Sequence, residues 1–175
     1  MTTLVQAAAT FGPEATDITG VAAVDVSISQ WHNAALAVAA AGGSYLDFVA
    51  AADLPTDGFQ VVVHVMPAIG VGGVLLRTTV SAGQPELTSI GEVWAGATWH
   101  EREITDLFGI TFLNSADDRP LLTARVGPAP LLKSSTLQAR LSQSWPGGFD
   151  PADKADAKRR LPPGVPDVAT QELAP

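Results

Sequence analysis

Cysteine is absent from this chain of 175 residues. Thiolate-held iron–sulfur clusters, thiolate zinc sites, disulfides and cysteine nucleophiles are therefore excluded within it. Basic residues are missing from the first 76 positions. All ten Lys and Arg fall from Arg77 onward, while six of the eighteen acids (Glu14, Asp17, Asp25, Asp47, Asp53 and Asp57) precede it. The net charge is −8, which argues against nucleic acid or an anionic lipid surface as a direct partner. Long apolar runs are missing too. The longest, Ala34–Ala41, falls far short of the ~18 residues a membrane helix requires, so no direct membrane insertion is expected. The N-terminus lacks the basic region of a secretory leader. The one glycine-rich stretch, Gly70–Gly73, has no lysine and no following helix, and reads as a hairpin connection rather than a phosphate cradle.

Hydrophobic residues make up 46% of the chain, enough to build a core. Residues 1–17 read as a short amphipathic or loose lead-in. Gly20–Ile28 reads as a strand with Val24, Val26 and Ile28 on one face. Ser29 is the expected N-cap of an alanine-rich helix stopped by Gly42 and Gly43. Tyr45–Leu54 reads as a strand ended by Pro55 and the Asp57-Gly58 turn. Phe59–Met66 is apolar on both faces and is expected to be central in a sheet, paired with Gly73–Val80. Gly109–Leu113 is a further short strand. His64 and Trp94 are expected in the core, and so is Trp99.

Composition changes at Pro120, beyond which lie nine of the thirteen prolines, Pro120 included. A helix is expected within Leu132–Trp145, followed by turn and extended chain. The expected fold class is α+β: a single domain with a mixed, mostly antiparallel sheet flanked by helices, and an extended Pro-rich C-terminal tail. Residues 1–126 form the domain and 127–175 the extension.

One stretch concentrates the charge: "WHEREITDLFG", Trp99–Gly109. Thr98 and Glu101 fit a capping box, and Gly109 fits a left-handed C-cap, which predicts a helix over Trp99–Phe108. On a helical wheel Trp99, Ile104, Leu107 and Phe108 share a half expected to be buried. Glu101, Arg102, Thr105 and Asp106 share the other, with Arg102 and Asp106 spaced to pair. Glu103 falls inside the apolar arc and requires a partner: Arg77, Arg119, Arg125 or another subunit. His100 also interrupts that arc.

Several chemistries fit parts of this pattern. The H-E-x-x-H zinc signature starts at His100-Glu101 but meets Ile104 at the second histidine position. A His100, Glu103, Asp106 metal site has feasible helical spacing, with only His32 and His64 elsewhere to complete it. Acid–base chemistry by Glu101 and Glu103 lacks an accompanying nucleophile. A stand-alone enzyme or metal module on His100, Glu101 and Glu103 thus remains the rival of a purely structural helix.

The wider stretch Ser89–Leu122 closely resembles the signature region of the 30-kDa subunit of respiratory complex I, the C subunit of bacterial NADH–quinone oxidoreductase. The family pattern W-x-E-R-E-x-x-D-x-F-G-I-x-F is met by Trp99, Glu101, Arg102, Glu103, Asp106, Phe108, Gly109, Ile110 and Phe112. Asp117, Arg119, Leu121 and Leu122 continue it. Two departures stand out. A second family motif resembling H-P-L-R-K-D appears as Ala129–Ser134, keeping Pro130, Leu131 and Lys133 but carrying Ala129, Leu132 and Ser134 elsewhere. Pro120 also stands where a basic residue is common.

The resemblance implies a non-catalytic structural subunit of a proton-translocating NADH:quinone oxidoreductase. It implies no catalytic residue, metal or cofactor in this chain, with iron–sulfur clusters and quinone held by partner subunits. Those partners would be the cluster-bearing subunits and the large quinone-site (49-kDa-like) subunit. The location would be peripheral, on the cytoplasmic face of the membrane. Trp99, Glu101, Arg102, Glu103, Asp106, Phe108, Gly109, Asp117 and Arg119 would be structural and interface residues. The equivalent subunit of a membrane-bound nickel–iron hydrogenase is the alternative within the same resemblance.

Overall fold

Thr3 opens the first helix, α1 (Leu4–Ala9), with a reciprocal cap. The Gln6 amide donates to Thr3 Oγ1 at 3.2 Å, and the Thr3 amide donates to Gln6 Oε1 at 3.0 Å. The computed structural model describes residues 3–16, 20–70, 72–122 and 129–135. They belong to one unit, Met1–Leu137; a second, Gln138–Pro175, lies outside the described residues. So do the expected domain boundary at 126/127 and all but the first residues of the helix expected within Leu132–Trp145.

After α1 come β1 (Glu14–Thr16) and β2 (Ala22–Asp25), one 3-10 turn (Ile28–Gln30), and α2 (Trp31–Ala40). Then follow β3 (Tyr45–Leu54), β4 (Gly58–Met66), β5 (Val74–Val80), β6 (Glu86–Thr88), α3 (Ala97–Phe108) and β7 (Thr111–Leu113). The expected strands over Tyr45–Leu54, Phe59–Met66 and Gly73–Val80 are present. Gly70–Gly73 lies in the connection between antiparallel β4 and β5.

Two local expectations are corrected. Ser29 does not cap α2; it lies in the 3-10 turn, where the Gln30 amide donates to the Ser27 carbonyl at 3.0 Å. The strand from Gly20 stops at Asp25, so Ile28 is exposed rather than sharing a face with Val24.

The strands form a five-stranded sheet in the order β1-β2-β5-β4-β3 and a small β6-β7 pair. β2 runs parallel to β5 and β6 parallel to β7; the other pairings are antiparallel. The sheet is mixed and mostly antiparallel, as expected. Gly58 permits the tight β3–β4 turn. Its φ is +96°, and a Cβ there would press into the Val80 carbonyl.

Register divides the sheet into two faces. Val24, Val49, Val61, Val63, Val65, Val74, Leu76 and Val80 are buried on the inner face. They share one core with Leu4 and Ala8 of α1, Trp31, Ala34, Ala35 and Val38 of α2, and Ala97 and Ile104 of α3. Leu87, Ile110 and Phe112, from β6, β7 and the turn before β7, join the same core. Burying these side chains is the main favourable contribution to folding, each fully buried aliphatic adding about 1.5–3 kcal/mol.

Candidate functional site

Helix α3 begins two residues before its expected start, and its N-terminus is built differently. Gly96 is the N-cap, with no side-chain capping bond. The Thr98–Glu101 capping box is absent because Glu101 points elsewhere. It is 1% exposed. Its Oε2 accepts from the Ser89 hydroxyl at 2.7 Å and its Oε1 from the Ile90 amide at 2.8 Å. Ser89 Oγ in turn accepts from the Gly91 amide at 3.0 Å. Burial raises the Glu101 carboxyl above its ordinary range, opposed by the Ser89 and Ile90 hydrogen bonds.

The next motif residues hold the loop that follows β7. Asp106, 3% exposed, accepts from the amides of Leu121 at 2.8 Å and Leu122 at 2.6 Å. Arg102 was expected to pair with Asp106. Instead it donates to the carbonyls of Arg119 (2.8 Å) and Pro120 (3.1 Å), and it meets Asp117 Oδ2 at 3.1 Å. Arg119 grips the same Asp117 carboxylate through Nε at 2.8 Å and Nη2 at 2.6 Å. The Arg119 hydrogen bonds, with Arg102 nearby, hold the Asp117 carboxyl far below its usual range. Asp117, Arg102 and Arg119 thus form a clamp.

Gly109 ends α3 in the left-handed conformation, φ 78° and ψ 17°, as expected. Phe108 is half-buried and meets Phe59 edge-on, ring centroids 6.5 Å apart. The altered second motif still docks here. The Leu131 amide donates to the Leu107 carbonyl at 3.0 Å and the Lys133 amide to Asp53 at 2.7 Å, and Leu132 packs against the core. These are contacts of backbone and of the retained or apolar positions, so losing the charged ones leaves them intact.

The expected wheel is therefore reversed in part. Glu101 and Asp106, expected in solvent, are buried. Trp99, expected in the core, is 63% exposed, with the Arg102 guanidinium 5.4 Å from its ring centroid. Trp94 does lie in the core, donating to the Gly43 carbonyl at 2.8 Å. Glu103 is half-buried on the same helix, and none of the described residues supplies its partner. Arg77 is taken by Asp25 and Arg119 by Asp117, and Arg125 lies outside the described residues.

Among the described residues no three His, Asp or Glu side chains converge to hold a metal ion. Neither His100, Glu103 and Asp106 nor His100, Glu101 and Glu103 form such a group. Two histidines outside the motif are held by polar contacts. His32 bridges the Ser89 carbonyl at 3.0 Å and Glu92 at 2.8 Å, and His64 pairs with Asp47 at 2.8 Å. Only tertiary pairing brings these residues together, so no local spacing signals them.

The chain is similar to several known proteins. The family model described as the respiratory-chain NADH dehydrogenase 30 Kd subunit matches residues 24–140. The C subunit of the NADH-quinone oxidoreductase of Vesicomyosocius okutanii is 32% identical over 108 residues, covering 61% of this chain and 52% of that protein. The fused C/D subunit of the Gluconacetobacter diazotrophicus enzyme is 41% identical over 70 residues, covering 39% of this chain and 12% of its own. The chain thus spans about half, or much less, of the length of these curated relatives. Among solved structures, the trypsin-resistant fragment (1-134) of Nqo5 superposes with a TM-score of 0.57 at 26% identity, over 65% of this chain and 95% of the fragment. A chain of an archaeal membrane-bound sulfane sulfur reductase shares the fold, with a TM-score of 0.56 at 15% identity, over 63% of this chain and 67% of its own. With the helix, its clamped loop and the matching family pattern in place, this chain belongs to the family of the 30-kDa subunit of the respiratory-chain NADH dehydrogenase.

Proposed function

We propose that this chain is a non-catalytic structural subunit of the peripheral arm of a complex-I-like NADH:quinone oxidoreductase. The observation that carries this reading is the division of the motif between two directions. Glu101, Arg102, Asp106, Asp117 and Arg119 face inward or onto the loop and are satisfied there. Trp99 and Glu103 face outward, one a large exposed aromatic and the other a half-buried carboxylate without a partner among the described residues. Such a pair suits a protein interface, where an aromatic anchor and a charge awaiting its counterpart give affinity and register.

In this reading the partners are the cluster-bearing subunits and the quinone-site subunit. Iron–sulfur clusters and quinone belong to them, and this chain supplies only support. None of its described helices is long and apolar enough to cross a membrane. Attachment to the cytoplasmic face of the membrane would run through those partners.

The test separates the two directions of the motif. Glu103→Ala should leave the melting temperature of the purified chain nearly unchanged, yet reduce assembled complex on native gels. Arg102→Ala should lower both, because it also opens the clamp. Turnover per assembled complex should stay near normal in each. Normal assembly with abolished turnover would instead assign chemistry to these residues. Co-purification of a hydrogenase large subunit would transfer the reading to that class of complex.

A further inference from the structure

Strand β2 ends at Asp25, but β5 beside it runs on to Val80. The last main-chain bond between them joins the Val26 amide to the Arg77 carbonyl at 2.8 Å. Arg77 therefore turns its amide and carbonyl toward β2. The antiparallel ladder on the other side of β5 then uses Thr78 and Val80, opposite Val61 and Phe59. By the same alternation the amide and carbonyl of Thr79 point to the β2 side, two residues beyond the last bond. There the neighbouring chain has left the sheet, because Ser27 leads into the 3-10 turn. None of the described residues takes the Thr79 amide or carbonyl.

A groove of about 320 Å³ opens at this place, and its lining includes Ser27, Gln60, Thr78 and Thr79. Thr78 supplies a second unmet group. It is 3% exposed, and its hydroxyl has no hydrogen-bond partner. A buried hydroxyl left in this state costs stability, and valine would fill the same strand position without that cost. Charge does not select an occupant here. Asp25 and Arg77, the two charged residues of the lining, answer each other through hydrogen bonds of 2.8 and 2.9 Å. What remains unanswered is one main-chain donor, one main-chain acceptor and one hydroxyl.

We infer that this groove receives a short extended segment of another protein subunit, which pairs its main chain with Thr79 in line with β2 and meets the Thr78 hydroxyl. An amide and a carbonyl on one strand residue match the same two groups of an extended polypeptide, as in the addition of a strand to an open sheet edge. A helix cannot serve, because its own ladder uses its main-chain donors and acceptors. The volume lies at the lower end of the range for ligand clefts, which suits a few residues rather than a whole strand. Small or neutral polar side chains fit walls made of Ser27, Gln60 and Thr79. This inference rests on the reading of the chain as a subunit, but none of the residues lining the groove belongs to α3, which carries Trp99 and Glu103.

The experiment measures hydrogen exchange, resolved at residues 78–80, in the full chain alone and in the complex purified from its own cells. In the chain alone the Thr79 amide should exchange as an unpaired group does. In the complex it should be slowed by about tenfold or more. Thr78→Val gives a second reading. It removes a hydroxyl that nothing in the chain satisfies, so the melting temperature of the purified chain should hold or rise. In the complex the same variant should lose most of the slowing at Thr79. The photo-crosslinker p-benzoylphenylalanine at exposed Ser27, with exposed Gln84 as the control site, should capture a peptide of one other subunit. A Thr79 amide already slow in the chain alone, unslowed in the complex, or slowed as much in Thr78→Val overturns the inference. So does a crosslink from Ser27 to a second copy or to residues 136–175, or none at all. In chain that has entered the complex, each of these outcomes leaves the subunit reading standing. A chain recovered only as free monomer removes both.

Discussion

Glu101 is the residue at which local pattern and tertiary structure part most clearly. A helical wheel places it by angle alone, and angle assigns it to solvent. The wheel cannot see that the turn before α3 presents two donors, the Ser89 hydroxyl and the Ile90 amide, to that position. The buried carboxyl group satisfies both donors, each of which would cost free energy if left unmet. Replacement by leucine keeps the volume but removes both acceptors. Glu101→Leu should therefore destabilise the chain by about 2–4 kcal/mol, read from urea midpoints. Glu101→Gln retains an acceptor for Ile90 and carries no charge. The direction of its pH dependence follows from the raised carboxyl. A group raised in the folded state contributes stability that is complete below its ordinary value of 4.5 and is lost as pH rises through the folded value. The parent should thus gain stability relative to Glu101→Gln as pH falls from neutral toward that ordinary value. Parallel curves for the two proteins would mean that Glu101 ionises as freely as in the unfolded chain.

At the scale of the element, α3 owes its orientation to polar contacts at least as much as to its apolar stripe. Asp106 ties down the Leu121 and Leu122 amides, and Arg102 spans the carbonyls of Arg119 and Pro120. The loop is thereby fastened at both ends to one helical turn. Pro120 fits without loss, since Arg102 needs its carbonyl and not its amide. Asp117 completes the clamp, and its carboxyl is held low chiefly by Arg119. A depressed carboxyl contributes stability above its ordinary value of 3.8 that is lost as pH falls through the folded value. Asp117→Asn should lower the melting temperature at neutral pH, and the difference from the parent should shrink steadily as pH falls below that ordinary value. Amide exchange in 119–122 should quicken in the same variant. Unchanged exchange there would show that Asp106 and Arg102 hold the loop without the Asp117 carboxylate.

For the molecule as a whole, legibility followed the range of the interactions. Tyr45–Leu54, Phe59–Met66 and Gly73–Val80 are long runs with their own punctuation, and each formed nearly where it was expected. β6 has three residues after Pro85 and carries no periodic signal; it exists because β7 pairs with it. The parallel pairing of β2 with β5, 52 residues apart at Asp25 and Arg77, has no local mark either. The family pattern made Trp99 to Arg119 legible as a site, but which motif residues face inward is decided by the Ser89–Ile90 turn and the 117–122 loop.

That dependence on distant pairing has a consequence for cooperativity. Leu87 of β6, Phe112 of β7 and Ile110 share a core with Trp31 of α2 and Trp94, so the small sheet is not a separate folding unit. Ile110 is fully buried at the junction of α3 and β7. Ile110→Ala should cost about 2–4 kcal/mol through lost burial and the cavity left behind. If the core is one unit, the loss should move the whole transition. Tryptophan fluorescence and far-ultraviolet circular dichroism should shift to lower urea by the same amount and remain superimposable. Were the β6-β7 pair only laid against the large sheet, the variant would split the transition, with fluorescence changing first and the strand signal persisting. Superposition would mean that α3 is oriented by the same cooperative event that closes the sheet, so that Trp99 and Glu103 are presented only by a fully folded domain.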